Sequence, residues 1–337
     1  MTSTGARLPL SRSAVDRDAT ARDRPGLLDD LWADAGTRVL VLCGTRALVT
    51  RAEQPRLVLL PPAALPEPRL VVYLGRTTAA TPTEPAGTAV VAALVDDQDA
   101  DAVIAVARDE RDGPSGSSDG DPSAPGDAHD VRWGDLRLLG DRLDDRDAGL
   151  FTEALAIVNW HRSHGFSPRT GLTTVAGRAG WVRHPAGADD EASGEHVFPR
   201  TDPAVIVAVT DPADRILLAS NVAWPEGRFS LLAGFVEPGE SFEAAVEREV
   251  LEEAGVRVTG TAYFGSQPWP FPASVMVGFL ATADATDPVP DGEEIREARW
   301  FTREELSAGA VTLPGRTSIA RAIIEHWHGG ALPEAPW

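Results

Sequence analysis

The sequence predicts an α/β protein in two parts, a β-rich amino-terminal domain and a mixed-sheet domain from about residue 198 onward. Three observations carry this. Short β-rich runs fill the first hundred or so residues, a polar Gly/Ser/Pro/Asp stretch follows, and strand-like and helix-like patterns alternate from 203 to the end. A length of 337 residues favours two or three domains, enough for a sizeable buried core.

Residues 1–36 begin polar and then offer a short helix at 27–32. TRVLVLC, ALVTRA, RLVLL, RLVVYL and TAVVAALV read as strands separated by Gly, Pro and charged turns, giving a β-rich domain over 1–107. The string RDERDGPSGSSDGDPSAPGDAHD, 108–130, has the composition of a disordered acidic loop. Residues 131–165 read as a strand and a connecting helix, whose apolar period lies in GLFTEALAIVNWHRSHG. His161 and His164 are three apart on it with no further ligands in sight, so they read as ordinary interdomain or surface residues. PAVIVAVT and RILLAS flank the turn 211–214 as a hairpin, FSLLAGF, SVMVGFLATA and REARWF add strands, and Thr302 with Glu305 forms a capping box. A final helix covers about 317–327.

A formal charge of −20 and a pI near 4.7 argue against a broad grip on nucleic acid, which needs Lys and Arg to neutralise phosphates, and against adsorption to anionic membranes. The chain contains arginine but no lysine, a bias read as codon usage. The single cysteine, Cys43, lies in an apolar run, so no intrachain disulfide or cysteine-rich metal site is available. No apolar run approaches ~18 residues and the amino terminus lacks a secretory apolar region, so the expected location is cytoplasmic.

The most informative stretch is GFVEPGESFEAAVEREVLEEAGV, 234–256. It places Glu249, Glu252 and Glu253 within roughly 100° of arc on one helix. Like charges at these spacings each cost a few tenths of a kcal/mol, roughly, so the cluster makes sense as a set of oxygen ligands for hard divalent cations. A solvated acidic face is the alternative. Ser241 is placed to cap the helix, Phe242, Val246, Val250 and Ala254 form the stripe facing the core, and Gly255 ends it. Arg248, next to Glu249, could orient a carboxylate or offset charge.

The spacing Gly-x5-Glu-x7-Arg-Glu-U-x-Glu-Glu-x-Gly-U, with U aliphatic, is met at every specified position. At usages near ~7% per fixed residue, a chance match is on the order of one in 10⁸ per starting point. The stretch resembles the Nudix box of metal-dependent hydrolases acting on nucleoside diphosphates linked to another moiety. That resemblance implies an α/β/α sandwich with a mixed sheet over 198–330.

Further on, SQPWPFPAS, 266–274, combines three prolines with two large aromatics, Trp269 and Phe271, suited to stacking a base, and with Gln267 and Ser274, able to read its edge. Downstream of such a box the string is similar to a motif of the NADH pyrophosphatase subfamily. FPRTDPAVIVAV, EEIREARWF and SIARAIIEHW resemble that subfamily's flanking segments, as does LRLLGDRLDDRDAGLFTEALAIVNWH. The likeness is good over 130–328 and loose before. It implies metal ligation by Ala233 (through its carbonyl), Glu249, Glu252, Glu253 and Glu294, with Glu293 the second choice for the last. It also implies catalysis by Glu249, Glu252, Glu253 and Arg248, and substrate contacts from Phe198, Gln267, Pro268, Trp269, Pro270, Phe271, Pro272, Ala273, Ser274 and Ala320. Two to three Mg²⁺ or Mn²⁺ would then serve hydrolysis of NADH or NAD⁺ to NMNH or NMN plus AMP, with one glutamate as general base and removal of 5′ NAD caps from RNA as a related reaction. A homodimer is implied, with no DNA or membrane partner. The rival readings are a Nudix hydrolase of ADP-ribose or another nucleotide sugar, against which SQPWPFPAS weighs, and a ligand-sensing regulator, which should have a damaged box.

One departure stands out. Where subfamily members often carry a four-cysteine zinc ribbon, 166–197 here has Ser167 and Thr170 in place of one Cys pair and nothing in place of the other, so no structural zinc is expected.

Overall fold

The protein is described by a computed structural model covering residues 8–112, 130–187 and 195–333. Its contacts divide it into a first unit, residues 12–200 with 270–273, and a second unit, residues up to 11, 201–269 and 274 onward.

In the first unit, β1 (Val15–Asp16) and α1 (Leu27–Ala33) precede β2 (Arg38–Cys43), β3 (Arg46–Thr50), β4 (Leu59–Leu60), β5 (Leu70–Thr77) and β6 (Ala89–Val95). Then come α2 (Ala100–Asp112), β7 (Val131–Asp135), α3 (Leu136–Leu139), α4 (Asp145–Ser163) and the hairpin β8 (Thr174–Gly177) and β9 (Val182–Pro185). The sheet order is β1-β5-β6-β2-β3-β7 with β4 beside β2, and β2 runs parallel to β6. Val39, Val41, Cys43, Val91 and Ala93 point alternate side chains into one core with Leu27, Leu31, Val103 and Ala107 from the helices. Cys43 is buried there.

Two sequence expectations need correction. Helix α2 runs through the proposed boundary at 107, because the apolar positions Val103, Ile104 and Ala107 pack on the sheet and carry the helix to Asp112. The rest of the expected acidic loop, 113–129, lies outside the described residues. The strand expected in 131–165 is β7, which pairs antiparallel with β3 from Thr50↔Val131 to Arg46↔Asp135 and so completes the first sheet. The connecting helix starts earlier than its apolar pattern suggested. Asp144 caps it by accepting from the Asp147 N–H at 2.8 Å.

The zinc-ribbon-like segment folds around polar contacts. Ser167 Oγ accepts from the N–H groups of Arg169 (3.2 Å) and Thr170 (3.1 Å) and donates to the Glu195 carboxylate, which also pairs with Arg169 at 3.0 Å. These donors do not suit zinc, since the hydroxyls are poor ligands and the carboxylate is already engaged. The hydrogen bonds from Ser167 and Arg169 hold the Glu195 carboxyl below its ordinary range. On the other side, His161 of α4 is buried: its Nε2 donates to Gly180 O (2.7 Å) and its Nδ1 accepts from Arg183 (2.8 Å). Arg183 also reaches the Thr174 hydroxyl and carbonyl at 2.7 and 2.6 Å. Burial, together with the neighbouring Arg183 charge, pushes the His161 imidazole down to about 4. His161 is thus a strut between helix and hairpin.

The second unit contains β10 (Asp202–Thr210), β11 (Ile216–Asn221), β12 (Leu232–Phe235), α5 (Phe242–Ala254), β13 (Val258–Trp269), β14 (Ser274–Ala283), β15 (Ile295–Phe301), α6 (Arg303–Ser307) and α7 (Ile319–His328). The order β13-β14-β10-β11-β15, with β12 beside β10 and β10 parallel to β14, is a mixed sheet. Val205, Val207 and Val209 face α5 through Val246, Val250 and Ala254, whereas Ile206 and Ala208 face α7 through Ile319, Ile323 and Ile324. Burial of β10 on both faces explains its near-continuous apolar run and makes the unit a helix-sheet-helix sandwich. The Thr302 and Glu305 capping box forms as expected.

β13 was not expected. Residues 266–269 form its end and pair with 274–277 of β14, so the proline-rich string is largely a hairpin. Pro268 is tolerated because β13 is the edge strand.

Two outcomes follow from this architecture. Protein purified without added metal should hold well under one zinc per chain by elemental analysis, and its melting temperature should not move with a chelator. His161 has a depressed folded pKa, so the unfolded chain binds the extra proton first. Stability should therefore fall as pH drops from the ordinary histidine value toward about 4. The loss is on the order of 2–3 kcal/mol. His161→Gln, which keeps a donor for Gly180 O, should flatten that part of the urea-denaturation pH profile.

Candidate active site

The carboxylates collect at α5, which owes its start to Ser241, whose hydroxyl accepts from Ala244 N–H at 3.1 Å, and its end to Gly255 at φ 65°. Val246, Val250 and Ala254 are fully buried as expected, but Phe242 is 41% exposed. Ala245 fills the core position in its place.

Arg248 organises the exposed side. Its guanidinium grips Glu240 through Nε (2.8 Å) and Nη2 (2.9 Å), donates from Nη1 to Glu249 (2.8 Å) and Glu252 (3.1 Å), and reaches Phe235 O at 3.0 Å. The loop before α5 is thereby fastened to the middle of the helix. Arg248 and the Glu237 N–H hold the Glu240 carboxyl down at about 2, and Glu240 and the other carboxylates raise the Arg248 pKa in turn.

Glu249 meets the end of β12. A Cβ on Gly234 would lie 2.0 Å from Glu249 Cδ, so any larger residue there would push the Glu249 carboxylate aside. Ala233 precedes it, opposite Ile206 of β10. Burial, set against the pull of Arg248, leaves the Glu249 carboxyl above its ordinary pKa.

Glu253 faces inward and is only 6% exposed, and its Oε2 has no hydrogen-bond partner. Burial, then Glu249, Glu294, Asp291 and Glu252, push its carboxyl up to about 8. Glu294 immediately precedes β15, with Asn221 donating to it at 3.4 Å. Asp291, which the sequence reading missed, shapes this approach: its Oδ1 accepts from the N–H groups of Glu293 and Glu294 (3.2 Å each) and Ile295 (2.8 Å). The Asp-Gly pair at 291–292 is the turn signal that could have found it.

Among the described residues no group of three or more acidic, His or Cys side chains is gathered closely enough to hold a metal ion, and Arg248 bridges Glu249 and Glu252. The donors nonetheless suit a hard divalent cation: all are oxygens, and the orphaned Glu253 Oε2 is a buried acceptor that a cation would satisfy.

The expected substrate residues fall in both units. Phe198, 60% exposed, and 270–273 belong to the first, whereas 267–269, Ser274, Ala320 and the carboxylates belong to the second. Trp269, Phe271 and Ala273 are half-buried, Pro268 and Pro272 exposed, Pro270 and Ser274 buried. Gln267 corrects the expectation of a base-reading amide. It is fully buried, with Oε1 accepting from Leu10 N–H (3.2 Å) and Nε2 donating to Thr317 O (3.0 Å). Its side chain is a strut. Ala320 is likewise buried against the core and presents no side-chain surface.

Residues 200–324 match the family profile described as the NUDIX domain, and residues 36–160 match that of the NADH pyrophosphatase-like rudimentary NUDIX domain. The chain is 48% identical over 221 residues to the NAD-capped RNA hydrolase NudC of Mycobacterium bovis BCG, an alignment covering 61% of this chain and 67% of that protein. It is 40% identical over 197 residues to the human NAD-capped RNA hydrolase NUDT12, covering 55% and 43%. Among solved structures, a NUDIX hydrolase from Nitrosomonas europaea is similar at 25% identity and a TM-score of 0.35, over 49% of this chain and 94% of that one.

Two sets of substitutions test the site. Glu249→Gln and Glu253→Gln should each lower kcat by orders of magnitude while the protein still folds and melts cooperatively, because glutamine keeps the length and shape of each side chain and burial already disfavours the charge of both carboxyls. Gly234→Ala should fold but displace the Glu249 carboxylate, lowering kcat/KM by about a hundredfold, as expected for a misplaced catalytic group.

Proposed function

Because the chain belongs to the Nudix hydrolases, with an NADH pyrophosphatase-like rudimentary domain ahead of the box domain, we propose that it hydrolyses the pyrophosphate bond of NADH or NAD⁺ to NMNH or NMN and AMP, and removes NAD caps from RNA 5′ ends. The reading is carried by one observation: an intact set of box carboxylates, organised by Arg248 and Gly234, occurs in the same chain as the Trp269 and Phe271 hairpin. The names of the bacterial and human relatives agree with it.

Glu249, Glu252, Glu253 and Glu294, with the Ala233 carbonyl, would hold Mg²⁺ or Mn²⁺. Bound there, these ions supply Lewis acidity toward the pyrophosphate oxygens and lower the pKa of an attacking water. Arg248 holds Glu249 and Glu252 in place, and one glutamate of the set accepts the proton of the water. Trp269 and Phe271 offer rings for the base. We further place the active protein in the cytoplasm as a homodimer, with no structural zinc.

The test is direct. Purified protein with Mg²⁺ or Mn²⁺ is given NADH, NAD⁺, ADP-ribose and NAD-capped RNA, and AMP or uncapped RNA is measured. The proposal expects turnover of NADH or NAD⁺ and of capped RNA, with ADP-ribose a poorer substrate. Preference for ADP-ribose would move the assignment to nucleotide-sugar hydrolysis, and light scattering showing an active monomer would remove the dimer.

A further inference from the structure

The Pro-Phe-Pro apex of the hairpin is held from α4 by a residue that the motif itself does not contain. Asn159 Nδ2 donates to Pro270 O at 3.0 Å and to Pro272 O at 3.1 Å. A primary amide nitrogen carries two hydrogens, and both are used on the carbonyls that bracket Phe271. Arg137, one residue into α3, lays its guanidinium over the Phe271 ring, 4.3 Å from its centre. Asp135 caps that helix by accepting from Arg137 N–H at 2.8 Å, which fixes where the arginine starts. The prolines offer no N–H of their own with which to build a ladder, so the apex depends on donors from elsewhere.

We infer that Asn159, seconded by Arg137, is a positioning residue for substrate: it fixes the backbone on both sides of Phe271 and so sets the ring for stacking a flat base. Asn159 touches no reacting group, and its effect passes through Phe271. The inference rests on the functional reading above, because it takes the hairpin as a base-binding element.

Asn159→Asp is the sharpest variant. It keeps the shape, removes both donors, and sets a carboxylate against two carbonyl oxygens. Asn159→Ala removes the donors without the repulsion. In the full chain, the expected result is a KM for NADH raised about tenfold by alanine and further by aspartate, as loss of two hydrogen bonds implies, with kcat within about twofold. Arg137→Ala should raise KM by a smaller factor. Mn²⁺ affinity should stay at its wild-type value and melting should remain cooperative, which separates positioning from a general loss of the fold. Hydrogen exchange in the peptide 265–276 should speed up in Asn159→Asp whatever substrate the enzyme prefers. Unchanged exchange in that peptide overturns the inference, as does an unchanged KM in the aspartate variant, or a loss of kcat together with Mn²⁺ affinity. A wild-type enzyme inactive on NADH and NAD⁺ but showing the faster exchange in the variant overturns only the functional reading.

Discussion

The carboxylates of α5 can share one helix because Arg248 stands among them. Three glutamates within one turn, with Glu240 of the preceding loop nearby, would push apart both the helix and its approach if left alone. The guanidinium offers planar, fixed donors, and here they reach Glu240 in a fork, Glu249, Glu252 and the Phe235 carbonyl. A lysine would be a single point of charge and could not tie a loop to a helix in this way. Glu253 is left outside the arrangement, buried and with an unpartnered oxygen.

The two units also illuminate each other. The order β5-β6-β2-β3-β7 with β4 beside β2 repeats, strand for strand, as β13-β14-β10-β11-β15 with β12 beside β10, and the parallel pair recurs in each. The difference lies after the short strand. In the second unit that strand leads to the box loop and α5, whereas in the first, residues 61–69 run to β5 with only a 3₁₀ turn at Pro62–Ala64. One scaffold thus occurs with and without the acidic helix.

Much of this was legible because it is local. The Ser241 cap, the Gly255 stop and the Thr302 capping box are each written within a few residues. Strands buried on both faces, such as β10, announce themselves as apolar runs. What escaped depends on distant partners or on ambiguous composition. Helix α2 ends in a charged run that blends into a Gly/Ser/Asp-rich stretch, so its last turn read as loop. β13 carries two glycines and a proline and only weak alternation, and is a strand because β14 pairs with it. Gln267 looked like a polar reader beside aromatics, but its partners are Leu10 and Thr317. Asn159 looked like one more polar position on a helix. Only the fold brings Pro270 and Pro272 to it.

Metal binding without substrate probes most directly whether the α5 carboxylates form a divalent-cation site. Titrating Mn²⁺ into the full chain and following the free-ion electron paramagnetic resonance signal should show about two or more tightly bound ions per chain. Binding should vanish when Glu249, Glu252 and Glu253 are together replaced by glutamine in a protein that still melts cooperatively. A free-ion signal that grows in proportion to added Mn²⁺ from the first addition, or binding that survives the triple replacement, would contradict it.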